Sequence, residues 1–281
     1  MLTAKNTEPQ QAVHYFMEGY YQEGTSRWSG QGAKKLGLSG AVDQQETFTN
    51  IVNGLSPDGS QHLAKRKLDS SQRRAATDLT FSAPKSVSLQ ALVGGDERLI
   101  TAHQLAVQKT IKLIEERYSY TRVTTDAHRV ATRTGNLVVA EFDHIETREL
   151  DPHLHTHAVV MNMTYLELGK RGELGQQGEK RSGGVGEALV AGEEEQSRRT
   201  EESLKSNSLS PPAPSASPAP PDLGSWYSLL NDEIFKNKKF LGMVYQNYLA
   251  LEVEKLGYQV EPKNHGQFEI KGSSQSRISN H

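Results

Sequence analysis

Three histidines near the middle of the chain have the residue type and spacing best suited to chemistry. They are His144, His155 and His157, in Glu141-Phe-Asp-His-Ile-Glu-Thr-Arg-Glu-Leu-Asp-Pro-His-Leu-His-Thr-His-Ala-Val-Val160. The residues after Leu154 are apolar and β-prone, so His155 and His157 open a strand, and the period of two puts both imidazoles on one face. Gly135-Asn-Leu-Val-Val-Ala-Glu-Phe142 reads as a second strand with His144 at its end. Antiparallel pairing through the polar Ile145–Leu154 segment would bring His144 level with the other two. Three imidazoles meeting at one point make a metal site with open positions, the catalytic kind of site. His153 follows Pro152, reads as loop, and is left out of the set.

The chain of 281 residues contains no cysteine, so any metal must be held by histidine and carboxylate. A His₃ site without a thiol suits Lewis-acid chemistry on a carbonyl or phosphate, or activation of water. Tyr15, Tyr20 and Tyr21 offer another attacking group, although tyrosines on a helix face more often serve packing. No apolar run approaches the ~20 residues of a membrane span, and the N-terminus lacks a secretory layout. These features are those of a cytoplasmic protein. The net charge of −2 speaks against indiscriminate nucleic-acid binding, yet an average hides patches. Between Gln61 and Gln90 stand Lys65, Arg66, Lys67, Arg73, Arg74 and Lys85, against Asp69 and Asp78 alone.

Several elements must position these groups. Met1–Lys5 reads as a short strand. Thr7-Glu-Pro-Gln10 forms a capping box with proline in the first turn, starting a helix that runs through Met17 and falters at Gly19. Asp43-Gln-Gln-Glu46 caps a second helix, closed by Asn53-Gly54. Ala76–Ser82 alternates as a strand, with Asp78, Thr80 and Ser82 on one face. Pro84 opens a helix ending near Gly94-Gly95, and Asp96 starts the longest one, to about Tyr118, with His103 on its buried stripe. Asp232 to Leu256 is helical, and Tyr258-Gln-Val and Phe268-Glu-Ile flank a hairpin at Asn264-His-Gly. Strands around the histidine pair with helices segregated between them describe an α+β fold on an antiparallel sheet.

The ordered motifs resemble a known family. They are Tyr15-Phe-Met-Glu-Gly-Tyr-Tyr21, Trp28-Ser-Gly-Gln-Gly-Ala-Lys-Lys-Leu-Gly-Leu-Ser-Gly40 and Asp78-Leu-Thr-Phe-Ser-Ala-Pro-Lys-Ser-Val-Ser88, then Thr134-Gly-Asn-Leu-Val138 and Leu154-His-Thr-His-Ala-Val-Val160. From Met1 to about Gly272 the chain resembles the relaxase domain of MobF-type conjugative relaxases, the TrwC/TraI family of HUH endonucleases. The resemblance implies an antiparallel palm carrying the His triad, with helices on its faces and a cleft for single-stranded DNA. It implies that a tyrosine attacks the scissile phosphate at a transfer origin, leaving a 3′-hydroxyl and a 5′-phosphotyrosine link. A divalent ion on His144, His155 and His157 would assist; Mg, Mn, Zn and Ni all remain open. Tyr15 matches the first tyrosine of the family's first pair, Phe16 replaces the second, and Tyr20 and Tyr21 match the second pair after a shortened spacer. Asp78 matches the active-site carboxylate, which would orient an imidazole or take the tyrosine proton. The resemblance also implies other relaxosome proteins and a coupling protein as partners of a monomer. Lys65, Arg66, Lys67, Arg73, Arg74 and Lys85 are expected at the DNA.

The layout divides at residues 1–167, a low-complexity and disordered insert at 168–224, a resumed domain at 225–272 and a disordered or truncated tail at 273–281. The insert falls where the family has a short connection, and the chain ends where the family continues with clamping helices and commonly a helicase. Two other readings follow: a DNA-binding remnant that does not cleave efficiently, and a metal-dependent hydrolase using metal-bound water with the tyrosines as packing.

Overall fold

The computed structural model describes residues 1–18, 25–63, 74–124, 128–147, 149–167 and 224–272. Contacts divide the chain into a unit of Met1–Leu166 with Gly224–His281 and a second of Glu167–Leu223; the described fold is the first. Residues 168–223 of the insert and the tail 273–281 lie outside the described residues, while Gly224, the last residue assigned to the insert, opens a strand.

The centre is an antiparallel five-stranded sheet built from β1 (Leu2–Thr7), β2 (Ser26–Ser29), β3 (Ala76–Ser82), β6 (Val139–Glu146) and β7 (Pro152–Met161). Their order across the sheet is β1-β3-β7-β6-β2. The histidine strand β7 is therefore central, paired with β3 on one side and β6 on the other. From Leu154 to Met161 it is buried on both faces, as a central strand requires.

Each face of the sheet has its own core. Leu79, Phe81, Leu154, Ala158 and Val160 meet α4 (Lys85–Leu92), α5 (Arg98–Tyr118) and α7 (Lys238–Lys255). On the opposite face, Ala140, Phe142, Val159 and Met161 meet α1 (Pro9–Val13), α2 (Gln31–Lys35) and α3 (Gln45–Val52). Strand parity puts His144, His155 and His157 on this second face. The helix expected from Asp232 to Leu256 is broken at Asn237 into α6 (Asp232–Lys236) and α7. The expected hairpin is present as β10 (Val260–Pro262) and β11 (Phe268–Ile270).

Composition did not mark two small ribbons, β4 (Tyr120–Thr124) with β5 (Arg129–Arg133), and β8 (Thr164–Glu167) with β9 (Gly224–Tyr227). The capping box does not form either. Thr7 stays in β1, opposite Ala76, and its carbonyl accepts from the Ala75 N–H at 2.9 Å, so α1 starts from Glu8 without a side-chain cap. Ladder pairing of Thr7 displaces the cap.

α5 is tied to the start of α2 and to the segment leading into β6 by a buried carboxylate. Glu115 Oε1 accepts the backbone N–H of Gln31 at 2.6 Å and of Leu137 at 2.8 Å. Beside it the Gly32 N–H donates to the Leu137 carbonyl at 2.9 Å, and a Cβ at Gly32 would stand 2.7 Å from that oxygen. Only glycine permits this approach, which accounts for the glycine-rich Trp28–Gly40 motif at this point.

Candidate functional site

The β6–β7 register pairs His144 with His155 and Phe142 with His157. Opposite them on β3, Ser82 pairs with His155 and Thr80 with His157. The three imidazoles form a nearly equilateral triangle, with ring centres 5.2 Å apart for His144–His155, 5.3 Å for His144–His157 and 5.2 Å for His155–His157. Rings ligating one ion at about 2.1 Å in a tetrahedral arrangement would have centres about 5 Å apart. The spacing is in place. The aim is not: among the described residues, no group of three or more His, Cys, Asp or Glu side chains converges as a ready-made metal site.

Two of the rings are already oriented. His157 Nδ1 lies 3.0 and 2.9 Å from the two oxygens of Asp78, so its Nδ1–H is donated to the carboxylate and Nε2 is the nitrogen left for a ligand. His155 Nδ1 donates to the His153 carbonyl at 2.9 Å, with the same consequence. Burial lowers the His144 pKa to about 3, helped by the neighbouring His157 and His155. Burial likewise lowers that of His155 to about 4, against the raising effect of its hydrogen bond to the His153 carbonyl. Both rings are thus neutral at neutral pH, the form that binds a metal. The donor set, the spacing and the protonation fit a divalent ion.

Tyr15 reaches this triad from a π-helical turn, His14–Glu18, that replaces the α-helix expected through Met17. Such turns are rare and cluster at functional sites. The Tyr15 ring stands edge-on to His157 with centres 5.7 Å apart. Phe16 is buried, stacks on Phe142 at 5.0 Å and 17°, and meets His157 at 5.6 Å. The position without a hydroxyl therefore anchors the turn in the core, and the half-buried tyrosine beside it faces the triad. Tyr20 and Tyr21 lie outside the described residues.

Two sequence readings of the strands need correction. His144 lies within β6, not at the end of a strand ending at Phe142, and a register shift follows it before Glu146. His153 lies within β7, not in a loop, and shares the parity of His155 and His157. Its ring centre is 5.0 Å from that of His155. Proline is tolerated as the first residue of a strand, which is where Pro152 stands.

The basic residues separate. Lys85 is exposed at the start of α4 and its ammonium donates to the Pro152 carbonyl at 3.1 Å, beside the histidine strand. Arg74 is turned inward. Its guanidinium donates to Asn162 Oδ1 at 2.6 Å, and also to Asn231 Oδ1 and the Leu229 carbonyl. This arginine is committed to joining β3 to the segment before α6, and the DNA-contact expectation for it is withdrawn. Lys65, Arg66, Lys67 and Arg73 lie outside the described residues. Sequence reading missed the basic face of the β4–β5 ribbon, where Arg122, Arg129 and Arg133 are exposed. The period-two alternation of Arg129-Val-Ala-Thr-Arg133 was the available signal.

An antiparallel palm with a His-x-His strand at its centre, a third histidine across the ladder and a tyrosine turn beside them is the architecture of the HUH-type relaxase domains. The chain belongs to the TrwC relaxase family, whose model matches residues 5–280. It is 35% identical over 267 residues to a multifunctional conjugation protein TraI of Escherichia coli, covering 91% of this chain. It is 48% identical over 149 residues, 52% of this chain, to the TraI of strain K12. The chain spans 12% and 8% of the length of these relatives. Among solved structures, metal-bound TrwC with oriT DNA matches at TM-score 0.68 and 34% identity, covering 96% of this chain and 75% of that one. TrwC with a 27-mer comprising the recognition hairpin and the cleavage site matches at 0.68 and 33%, with the same coverage.

Proposed function

We propose that this chain nicks one strand of DNA at a transfer origin and later rejoins it, through a covalent tyrosine link. The observation that carries this reading is the edge-on approach of Tyr15 to His157 within the triangle of imidazoles. A phenol beside a phosphate-polarising centre can attack; Tyr15 also packs on the core of this sheet face, and its hydroxyl is what distinguishes it from Phe16 on the same turn.

In the proposed reaction, Tyr15 Oη forms a bond to the scissile phosphorus as the bond to the 3′-oxygen breaks. The phenol loses its proton and the departing 3′-oxygen gains one. One phosphodiester replaces another, so the exchange runs in both directions and a second attack reseals the strand. His144, His155 and His157 would hold the divalent ion, which supplies charge to offset the nonbridging oxygens. Asp78, with both oxygens on His157 Nδ1, fixes the tautomer and aim of that ring; the geometry favours this over removal of the tyrosine proton. Phe16 and Phe142 hold the turn so that the phenol is positioned before the substrate arrives. Lys85 and the arginines of the β4–β5 ribbon would meet DNA phosphates, joined by Lys65, Arg66, Lys67 and Arg73. Tyr20 and Tyr21 would serve a second strand-transfer step.

The substrate is single-stranded DNA, and relaxosome and coupling proteins are the expected company in the cytoplasm. Among the described residues no helix is long and apolar enough to cross a membrane.

The test uses labelled single-stranded transfer-origin oligonucleotides, beginning with the hairpin-plus-cleavage-site form taken by TrwC. A denaturation-resistant protein–DNA adduct supports the reading. Cleavage without an adduct would instead indicate hydrolysis by activated water, and binding without cleavage a DNA-binding remnant.

A further inference from the structure

Behind the triad, on the opposite face of the sheet, runs a buried polar chain that the proposed chemistry does not use. Asp143 precedes His144 on β6, and Thr156 lies between His155 and His157 on β7, so both side chains point to the face that carries α4, α5 and α7. Thr156 Oγ1 donates to Asp143 Oδ1 at 2.5 Å. His103 Nε2 on α5 meets Thr156 Oγ1 at 2.9 Å, and His103 Nδ1 meets the Tyr245 hydroxyl on α7 at 2.8 Å. Thr156, His103 and Tyr245 are fully buried. The far carboxylate oxygen, Oδ2, accepts from Thr25 at 2.9 Å, Arg27 at 2.8 Å and Gln104 at 2.9 Å.

The proton directions along this chain follow from chemistry. Asp143 is paired with the Arg27 guanidinium and surrounded by the Thr25, Gln104 and Thr156 donors, so its carboxylate only accepts. Thr156 must spend its one hydrogen on Asp143 and can only accept from His103. His103 therefore carries its hydrogen on Nε2, and its Nδ1 must accept from Tyr245. The donors run in one sense, Tyr245 to His103 to Thr156 to Asp143. Each triad histidine is one residue from a link, and the link spans β6 and β7 at the point where His144 and His155 face each other.

We propose that Thr156 and His103 are positioning residues for the triad, setting the separation and tilt of the two strand backbones that carry the imidazoles and coupling them to α5 and α7. This rests on the metal reading of the triad, and it makes a polar chain on one sheet face set the geometry of a site on the other.

The test compares Thr156→Val, which keeps the volume and deletes the hydroxyl, with Thr156→Ser, which restores it. Val253→Ala, a buried change near the end of α7, serves as a control for stability loss alone. Nickel affinity by calorimetry should weaken about tenfold in Thr156→Val, recover in Thr156→Ser and stay unchanged in Val253→Ala. Nitrogen NMR should find His103 as the Nε2–H tautomer. Unchanged affinity in Thr156→Val, equal weakening in Val253→Ala, or an Nδ1–H tautomer would each overturn the proposal. If Thr156→Val does not fold, Tyr245→Phe carries the same comparison from the far end of the chain. If the wild-type protein binds no nickel, the metal reading fails separately. The ring-proton signals of His144, His155 and His157 then decide: displacement in Thr156→Val but not in Val253→Ala supports positioning, and no displacement overturns it.

Discussion

His157 Nδ1 lies within 3.0 Å of both carboxylate oxygens of Asp78, joining the central strand of the palm to β3 at the triad itself. This contact determines which nitrogen of His157 faces the site. Asp78→Ala leaves the tautomer unguided and should weaken divalent-metal binding about 10- to 100-fold, the usual effect of losing such a partner. Asp78→Asn retains an acceptor for the Nδ1–H and should lose less. Calorimetric titration with nickel or manganese measures both.

Tyr15→Phe removes one oxygen from a half-buried ring and keeps its contact with His157. Covalent attachment to DNA should fall to background, with stability changed by less than about 0.5 kcal/mol. Thermal unfolding and a denaturing gel test the two halves of the expectation. An adduct that survives on Tyr20 or Tyr21 would move the nucleophile without changing the family.

The triad was legible because strand parity is a strict rule. Once His155 and His157 opened an apolar run, their common face followed from period two, and the antiparallel partner placed His144. The helices α3, α4 and α5 and the last hairpin were legible from glycines, Pro84 and apolar stripes, but the Asp43 cap expected for α3 does not form: Gln44 stands at its N-cap without a side-chain hydrogen bond. The π-turn under Tyr15 was not, because a π-turn and an α-turn share nearly the same apolar pattern and tertiary packing of Phe16 on Phe142 selects between them. Arg74 misled for a related reason. A charge run gives a count of cations, while the acceptors that take this guanidinium inward, Asn162, Asn231 and the Leu229 carbonyl, are distant in sequence. The polar chain through Thr156 was invisible because each partner comes from a different element.

Glu115 joins α5 to two backbone N–H groups. Glu115→Ala leaves both buried donors without their acceptor and should cost about 3 kcal/mol. Burial raises the Glu115 pKa, so Glu115→Gln, which keeps the accepting oxygen without the charge, should be far milder. Urea unfolding of the two variants at pH 7 distinguishes a hydrogen-bonding role from a charge role.

His103 gives stability a definite pH dependence. Burial is the leading cause that lowers its pKa to about 3, from an ordinary value of 6.5. Between these values the unfolded chain binds a proton that the folded chain does not. Its contribution therefore falls as pH drops below 6.5 and levels off below about 3, at roughly 1 kcal/mol per pH unit. His103→Gln should reduce the slope of the stability profile across that window by roughly 1 kcal/mol per pH unit, leaving the part that His144 and His155 contribute, while lowering stability at pH 7. Urea midpoints at pH 7, 6 and 5 measure the slope, and an unchanged slope in the variant would show that His103 is not the group responsible.

The attack proposed is that of a π-turn tyrosine on DNA beside the histidine triangle. Its most direct test is peptide mass spectrometry of the protein after reaction with a single-stranded transfer-origin oligonucleotide, with divalent metal and with chelator. The expected result is a 5′-phosphodeoxynucleotide on the peptide containing Tyr15, formed with metal and lost with chelator. Cut DNA with every tyrosine unmodified would contradict it.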